Sequence, residues 1–375
     1  MDRQSFEQAL KTGLLNDAPQ PLETISAREL QRKEIPPMRF VVNGLIPAGL
    51  NILASPPKYG KSWLVLDLGM SVASGRKFLG YTTKRCACLY LALEDSQRRL
   101  KSRMNKLLCS SPAPDGFYFA TAAKPLDDGL LDELEAFLDA HRDTGLIIID
   151  TLQRVRGAAH GREGAYAADY REVGALKAFA DRHNVALLLV HHLRKMKDDG
   201  DPFNMISGTN GISGAADTMI VLSKEKRAYS NATMSVVGRD VESCDMVLTF
   251  DSESCRWVNL GDADAFAEEQ KRKDYMSSPI VVTVKKLLEQ KPQGWTGTAQ
   301  DLLDAGRYIA RTQLASTARE LSGKLRAMTD LLLEYDGIAC TRRSNGSGGG
   351  KYSFVYTGVQ FEELGEAENN PFLTG

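Results

Sequence analysis

Seven short β-rich apolar runs, separated by helical stretches, constrain this chain more than any other feature. They are LNILAS (50–55), CACLYLAL (86–93), GLIIID (145–150), VALLLVHH (185–192), DTMIVLS (217–223), ATMSVVG (232–238) and MVLTFD (246–251). Between them lie GKSWLVLDLGMSVASG, EDSQRRLKSRMNKLL, DELEAFLDAHRD and YREVGALKAFADRHN, each with helical periodicity. Strands apolar on both faces must be covered on both faces. The expectation is therefore an α/β fold, a mostly parallel sheet between helical layers. The last two runs are joined by short polar turns and read as antiparallel strands added at one edge.

The first of these strands runs into the loop SPPKYGKSW (55–63). A phosphate-binding P-loop reads G-x-x-x-x-G-K-S/T. Gly60-Lys61-Ser62 supplies its end, but Ser55 stands where the first glycine belongs. A strand before the loop and an amphipathic helix after it would surround an anion with backbone N–H groups and the positive end of the helix dipole. Ser55, Pro57, Lys58, Tyr59, Gly60, Lys61, Ser62 and Trp63 are the candidate nucleotide-binding residues. Lys61 is expected on the β- and γ-phosphates of ATP, with the Ser62 hydroxyl on Mg²⁺.

Three further strand ends carry polar groups. GLIIIDT ends in Asp150, a carboxylate placed to hold Mg²⁺ through water. LYLALEDS ends in Glu94-Asp95; Glu94 is the candidate general base, and Asp95 is expected to cap the following helix. LLLVHHLRK ends in His191-His192. His192 is the candidate γ-phosphate sensor, because His191 is expected to point to the opposite face.

The sequence changes character at GDADAFAEEQKRKD (261–274), which is charged and reads as a helical linker. The expected organisation is an N-terminal arm (1–35), an ATPase core (36–260), a linker (261–276), a second unit (277–357) and an acidic tail (358–375), expected to be disordered. The second unit reads as three helices followed by a hairpin, IACTRRSNGSGGGKYSFVYT, with a Gly/Ser-rich tip. That is the order of a winged helix-turn-helix.

Net charge is −1, so no global field draws nucleic acid, and any such contact must be local. One local surplus exists: residues 275–357 hold eleven Lys or Arg against seven Asp or Glu. Arg342, Arg343 and Lys351 flank the hairpin tip, and Arg319, Lys324 and Arg326 lie on the long helix before it. The six cysteines are scattered without a C-x-x-C pair and read as reduced thiols. No run reaches the ~20 apolar residues a membrane span needs, and the first thirty residues have no signal-peptide core. A cytoplasmic protein is expected.

Taken in order, SPPKYGKSWL, LYLALEDS, LIIIDT, LLVHHLRK, SGTNGISGAADTMIVL and MSVVGRDVES resemble the successive motifs of RecA-fold hexameric ATPases. The resemblance is to plasmid RepA-type replicative helicases, relatives of the DnaB family, and covers roughly residues 36 to 258. It implies Lys61 and Ser62 on nucleotide and Mg²⁺, Glu94 as catalytic base, Asp150 as the Mg²⁺-shell carboxylate and His192 as sensor. It also implies Arg239 as a finger reaching a neighbouring subunit's ATP, and an N-terminal arm that packs on an adjacent subunit. Two loops, 153–172 and 194–211, would then face a ring's channel. Arg154, Arg156, Arg162, Arg194, Lys195 and Lys197 would contact single-stranded DNA there, while the C-terminal unit meets duplex DNA. The implied function is a ring-forming, hexameric ATPase acting as a DNA helicase for a plasmid, phage or integrated element. A nucleotide-gated DNA-binding regulator and a filament-forming recombinase are the alternatives.

Overall fold

The computed structural model describes residues 22, 24–157, 164–193, 201–206, 210–224, 231–344 and 350–358. The chain divides after Arg39. Before that point lies a short helix, α1 (Ala27–Arg32), started by a capping box in which Ser26 and Glu29 satisfy each other's backbone N–H groups.

From Phe40 onward, a small hairpin of β1 (Phe40–Val42) and β2 (Ile46–Pro47) leads into a nine-stranded sheet. Its strands are β3 (Gly49–Ser55), β4 (Ala87–Ala92), β5 (Phe117–Ala120), β6 (Thr144–Asp150), β7 (Ala186–His192), β8 (Thr218–Ser223), β9 (Asn231–Gly238), β10 (Cys244–Asp251) and β11 (Arg256–Asp262). They lie in the order β11-β10-β9-β8-β3-β7-β6-β4-β5. From β8 to β5 all neighbours are parallel, and β9, β10 and β11 continue the sheet antiparallel.

Every residue of β3, β4 and β6 is buried. The reason is the period of two along a strand, which splits each apolar run between two cores. Leu146, Ile148, Leu188 and Val190 face a layer that includes α2 (Lys61–Ser74) and α3 (Gln97–Leu108). Ile147, Ile149, Leu187 and Leu189 face the opposite layer, with α4 (Leu130–Ala140), α5 (Leu152–Val155), α6 (Ala165–His183) and α7 (Asn210–Ala215). Each such side chain contributes about 1.5–3 kcal/mol of burial, so a strand with two apolar faces is committed to the middle of the sheet.

All seven apolar runs are strands, while β5 and β11 lie outside them. Both are edge strands: β5 is only four residues long, too short to announce a strand, and β11 mixes buried with exposed positions. The stretch 153–172, read as one loop, contains α5 and the start of α6. Arg156 is what holds α6 here: its guanidinium donates to Asp169 and, at 2.9 Å, to Glu172, both buried on the first turns of α6. Asp95 does not cap α3; Ser96 does, and Asp95 instead pairs with Arg99 and Arg103. Residues 158–163, 194–200, 207–209, 1–21, 23 and 359–375 lie outside the described residues. With them go Arg194, Lys195, Lys197, Arg162, most of the second expected loop, most of the arm and nearly all of the tail.

Beyond β11, Asp262 caps α8 (Ala263–Ser277), which occupies the expected linker. The remainder follows the order α9 (Pro279–Gln290), β12 (Trp295–Thr298), α10 (Ala299–Tyr308), α11 (Ala318–Asp336), β13 (Ile338–Ser344) and β14 (Gly350–Tyr356). It has its own core, including Val284, Leu302, Leu321, Leu332 and Phe354. Its sheet has three strands, not the two of the expected hairpin. β12 joins β14, with Trp295 opposite Phe354. A four-residue WTGT segment carries too little pattern to announce a strand. Among the described residues no helix is long and apolar enough to cross a membrane.

Removing the Arg156 guanidinium would strand two buried carboxylates. Arg156→Ala is expected to lose about 3–5 kcal/mol in urea unfolding. A loss under about 1 kcal/mol would show that solvent screens these pairs and that α6 is held otherwise.

Candidate nucleotide-binding site

Parallel register brings the polar strand ends together. Ser55 pairs with His192, and Asp150 pairs with both Ala92 and Val190. β6 and β4 therefore end level with each other, two residues short of the ends of β3 and β7, and the segments leaving all four share one edge. They line a cleft of about 740 Å³ with Pro57, Lys58, Tyr59, Gly60, Lys61, Ser62, Trp63, Glu94, Asp150, Thr151 and His192 on its walls.

The loop explains its own departure from the P-loop pattern. Ser55 is fully buried at the end of β3, and the left-handed φ angles fall later, at Lys58 (67°) and Gly60 (91°). The first position needs no glycine because it needs no positive φ. Gly60 does need one. Besides its φ, a Cβ there would meet the Trp257 ring at 3.0 Å. Lys58 is exposed at the mouth of the cleft and holds a conformation that side chains rarely adopt.

Lys61, at the start of α2, is buried. Its Nζ donates to the Ser55 carbonyl at 2.7 Å and the Pro56 carbonyl at 3.3 Å. Burial pushes its pKa down to about 8, against the upward pull of the Asp150 and Glu94 carboxylates. His192 Nδ1 lies 3.3 Å from the same ammonium. An ammonium can only donate, so Nδ1 accepts and the ring proton sits on Nε2. Burial and the Lys61 charge both lower the His192 pKa, while Glu94 raises it. At neutral pH His192 is thus an uncharged ring in contact with the P-loop lysine.

Burial raises the pKa of Asp150, and a hydrogen bond from the Tyr90 hydroxyl at 2.8 Å opposes that rise. Tyr90 is itself fully buried on the adjacent strand. Glu94 has a different setting. Its side chain is 46% exposed, near the Thr151 hydroxyl at 3.4 Å and the Arg154 guanidinium at 3.7 Å. One carboxylate is fixed and the other is reachable by water. Ser62 and Asp150 on the walls offer hard oxygen donors, the type that suits Mg²⁺, which takes few protein ligands and keeps several waters.

One wall is aromatic. Trp257 donates from Nε1 to the Gly60 carbonyl at 3.3 Å, and Phe250 bridges Trp257 and Trp63 with centroids 5.3 and 6.3 Å away. Lys224 sits 5.0 Å over the Trp257 ring, and Arg103 sits 5.6 Å over Trp63. Arg256 fixes the hairpin bearing this wall, donating to the Leu107 carbonyl and pairing with Asp67.

Residues 17–198 match the AAA domain family. The match covers just under half of the chain and, with the strand order and the loop at the end of β3, supports a RecA-like ATPase fold for the core. Similar proteins include the DNA repair protein RadA of Mycobacterium tuberculosis, 28% identical over 184 residues, which are 48% of this chain and 33% of the relative. RadA of a Synechocystis species is 25% identical over 215 residues, 54% of this chain and 38% of the relative. The chain thus spans little more than a third of the length of these curated relatives. A solved DnaB-like replicative helicase aligns with a TM-score of 0.48 and 12% identity, covering 68% of this chain and 71% of that one.

The structure gathers most of the sequence-derived residues into the cleft of this ATPase domain and leaves others outside it. Arg239 is at the far edge of the sheet. Gly238 pairs with Thr218, which pairs with Asn51, so Arg239 lies about 13 Å or more from the Ser55 end along the strand. There it is 63% exposed, donates to the Gly214 carbonyl and lies 3.8 Å from Asp217. Arg156 serves the α6 junction and is not available as a surface cation. Arg154 stays 59% exposed. Arg342, Arg343 and Lys351 are exposed on β13 and β14, with Arg343 directly opposite Lys351. Tyr90, Trp257, Phe250, Lys224 and Arg103 were not singled out from the sequence. Only Tyr90 left a signal, as a lone hydroxyl in an otherwise apolar buried run.

A lysine whose free pKa is about 8 loses its charge as pH rises through that value. Phosphate binding favours the charged form, so nucleotide affinity is expected to fall above pH 8, by up to about tenfold per pH unit. Well below pH 8 the Lys61 contribution is fully present. Titration calorimetry from pH 6.5 to 9.5 checks this, with Lys61→Ala expected to be weak and flat. A wild-type affinity equally flat across that range would contradict a perturbed Lys61.

Proposed function

We propose that this chain is a ring-forming, Mg²⁺-dependent ATPase that works on DNA, a replicative helicase of a plasmid, phage or integrated element. The observation that carries the reading is the convergence of Lys61, Ser62, Glu94, Asp150 and His192 on one cleft. Lys61 and the N-terminus of α2 would take the phosphates, and Trp257 and Trp63 would stack the base. Ser62 and Asp150 would hold Mg²⁺, which neutralises charge on the phosphate oxygens when bound. Tyr90 fixes Asp150. Glu94, open to solvent, accepts the proton of the attacking water. His192 touches Lys61 and ends the strand that continues into the second channel loop, which suits a sensor.

Arg239 is too far away to act on its own chain's cleft. Its exposed position supports a role in the neighbouring subunit's cleft, where it makes hydrolysis depend on assembly. The C-terminal unit has the element order of a winged helix, and we assign residues 277–357 to it, 36–260 to the core and 261–276 to the linker. Arg342, Arg343 and Lys351 on its hairpin, and Arg319 and Arg326 exposed on α11, suit duplex phosphates. Lys324 is engaged by Glu320 and the Leu314 carbonyl. Like charges at Arg343 and Lys351 disfavour the bare hairpin. An anionic partner would remove that repulsion. Arg154 remains a channel-side cation, and Arg194 and Lys195 are carried as expected contacts outside the described residues.

The basic C-terminal unit also favours a second reading, a DNA-binding regulator gated by nucleotide. ATPase rate with and without single-stranded DNA, on protein sized by light scattering, together with strand displacement, separates the two. The helicase reading predicts stimulation and unwinding. Unstimulated hydrolysis with a site-specific duplex footprint would support the regulator. Glu94→Gln is expected to retain nucleotide while turnover falls about a hundredfold or more; near-normal turnover would remove Glu94 from its role.

A further inference from the structure

Tyr166 and Tyr170 are 56% and 58% exposed on the first turns of α6. Their rings are 6.3 Å apart and within 14° of parallel. Among the described residues this is the one aromatic pair with both rings exposed. Such a pair adds only a few tenths of a kcal/mol to a helix, which leaves two large ring faces in water with little local return.

Their position is fixed. Arg156 is bound to Asp169 and Glu172, so the start of α6 is held against the segment that leaves Asp150. The tyrosines therefore stand at the same edge of the sheet as the nucleotide cleft. Two residues before Arg156, Arg154 is 59% exposed and lies 3.7 Å from the half-exposed Glu94. Arg171, also exposed, follows Tyr170. Exposed flat rings beside exposed guanidinium groups match the chemistry of a polyanion with unpaired bases.

We infer that Tyr166, Tyr170 and Arg154 form a platform for single-stranded nucleic acid, the rings stacking bases and the guanidinium meeting a phosphate. The inference rests on the DNA-dependent reading above and names the residues that serve it. Every base has a π-face, so such a platform is tolerant of sequence but demands unpaired bases. The Arg154–Glu94 pair is long and solvent-screened, so a phosphate competes with it easily. Strand binding would then draw Arg154 off Glu94 and raise turnover.

The test is fluorescence anisotropy with labelled oligo-dT, and with a duplex of the same length, in the presence of a non-hydrolysable ATP analogue. Tyr166→Ala/Tyr170→Ala is expected to weaken oligo-dT binding about tenfold or more. Duplex binding, DNA-independent hydrolysis and assembly size by light scattering stay unchanged, and Tyr166→Phe/Tyr170→Phe behaves as wild type. Unchanged oligo-dT affinity in the alanine variant overturns the platform. So does a change in assembly size, which would make the pair a contact between subunits, or a phenylalanine variant as weak as the alanine one. Wild-type protein that hydrolyses ATP but binds no oligonucleotide would overturn the platform and the DNA reading together. Loss confined to the alanine variant would overturn neither.

Discussion

Four buried parallel strands end at one edge of the sheet within two residues of one another, and the site depends on that register. Ser55 beside His192, and Asp150 beside Ala92 and Val190, follow from strands whose two faces are both apolar. A slip of one residue would send every side chain of a strand to the opposite core. Burial on both faces therefore fixes where each polar terminus emerges. The cleft is a consequence of core packing, and no residue in the cleft has to enforce it.

Within that frame, electrostatics divide the labour. Lys61 is buried enough to lose much of its hold on its proton, yet it faces two carboxylates and two carbonyls that favour its charge. Asp150 is buried and held by Tyr90, while Glu94 stays open. A cation, a fixed carboxylate and a mobile carboxylate within one cleft form a site prepared for a polyanion and its metal. Arg239 lies at the opposite end of the strands, so in the proposed function it would join this scheme only across a subunit boundary.

The middle of the sheet could be read from the sequence because double burial leaves a continuous apolar run, and the runs of β6 and β7 end in Asp150 and His192, which line the cleft. GLIIID announced both β6 and Asp150. The edges could not be read in the same way: FYFA is only four residues long and RWVNLGD mixes polar with apolar residues, so their partners decide their state. The aromatic wall was hidden for a related reason. Trp257 and Phe250 are nearly two hundred residues from Gly60 in sequence, and only the pairing of β10 with β11 brings them to the loop. Arg156 was misread because a loop arginine and a buried ion-pair arginine look alike in sequence. Ser55 looked like a defect, but the positive φ angles of the loop lie at Lys58 and Gly60.

The central claim is that this cleft turns over nucleotide only when a neighbour supplies Arg239. Turnover in mixtures of Arg239→Ala and Lys61→Ala subunits tests it most directly. Each variant alone should be inactive while Arg239→Ala still binds nucleotide. Mixing should restore part of the rate, since Lys61→Ala subunits can lend Arg239 to intact clefts. Full activity of Arg239→Ala alone, or no recovery at any mixing ratio, would contradict the account.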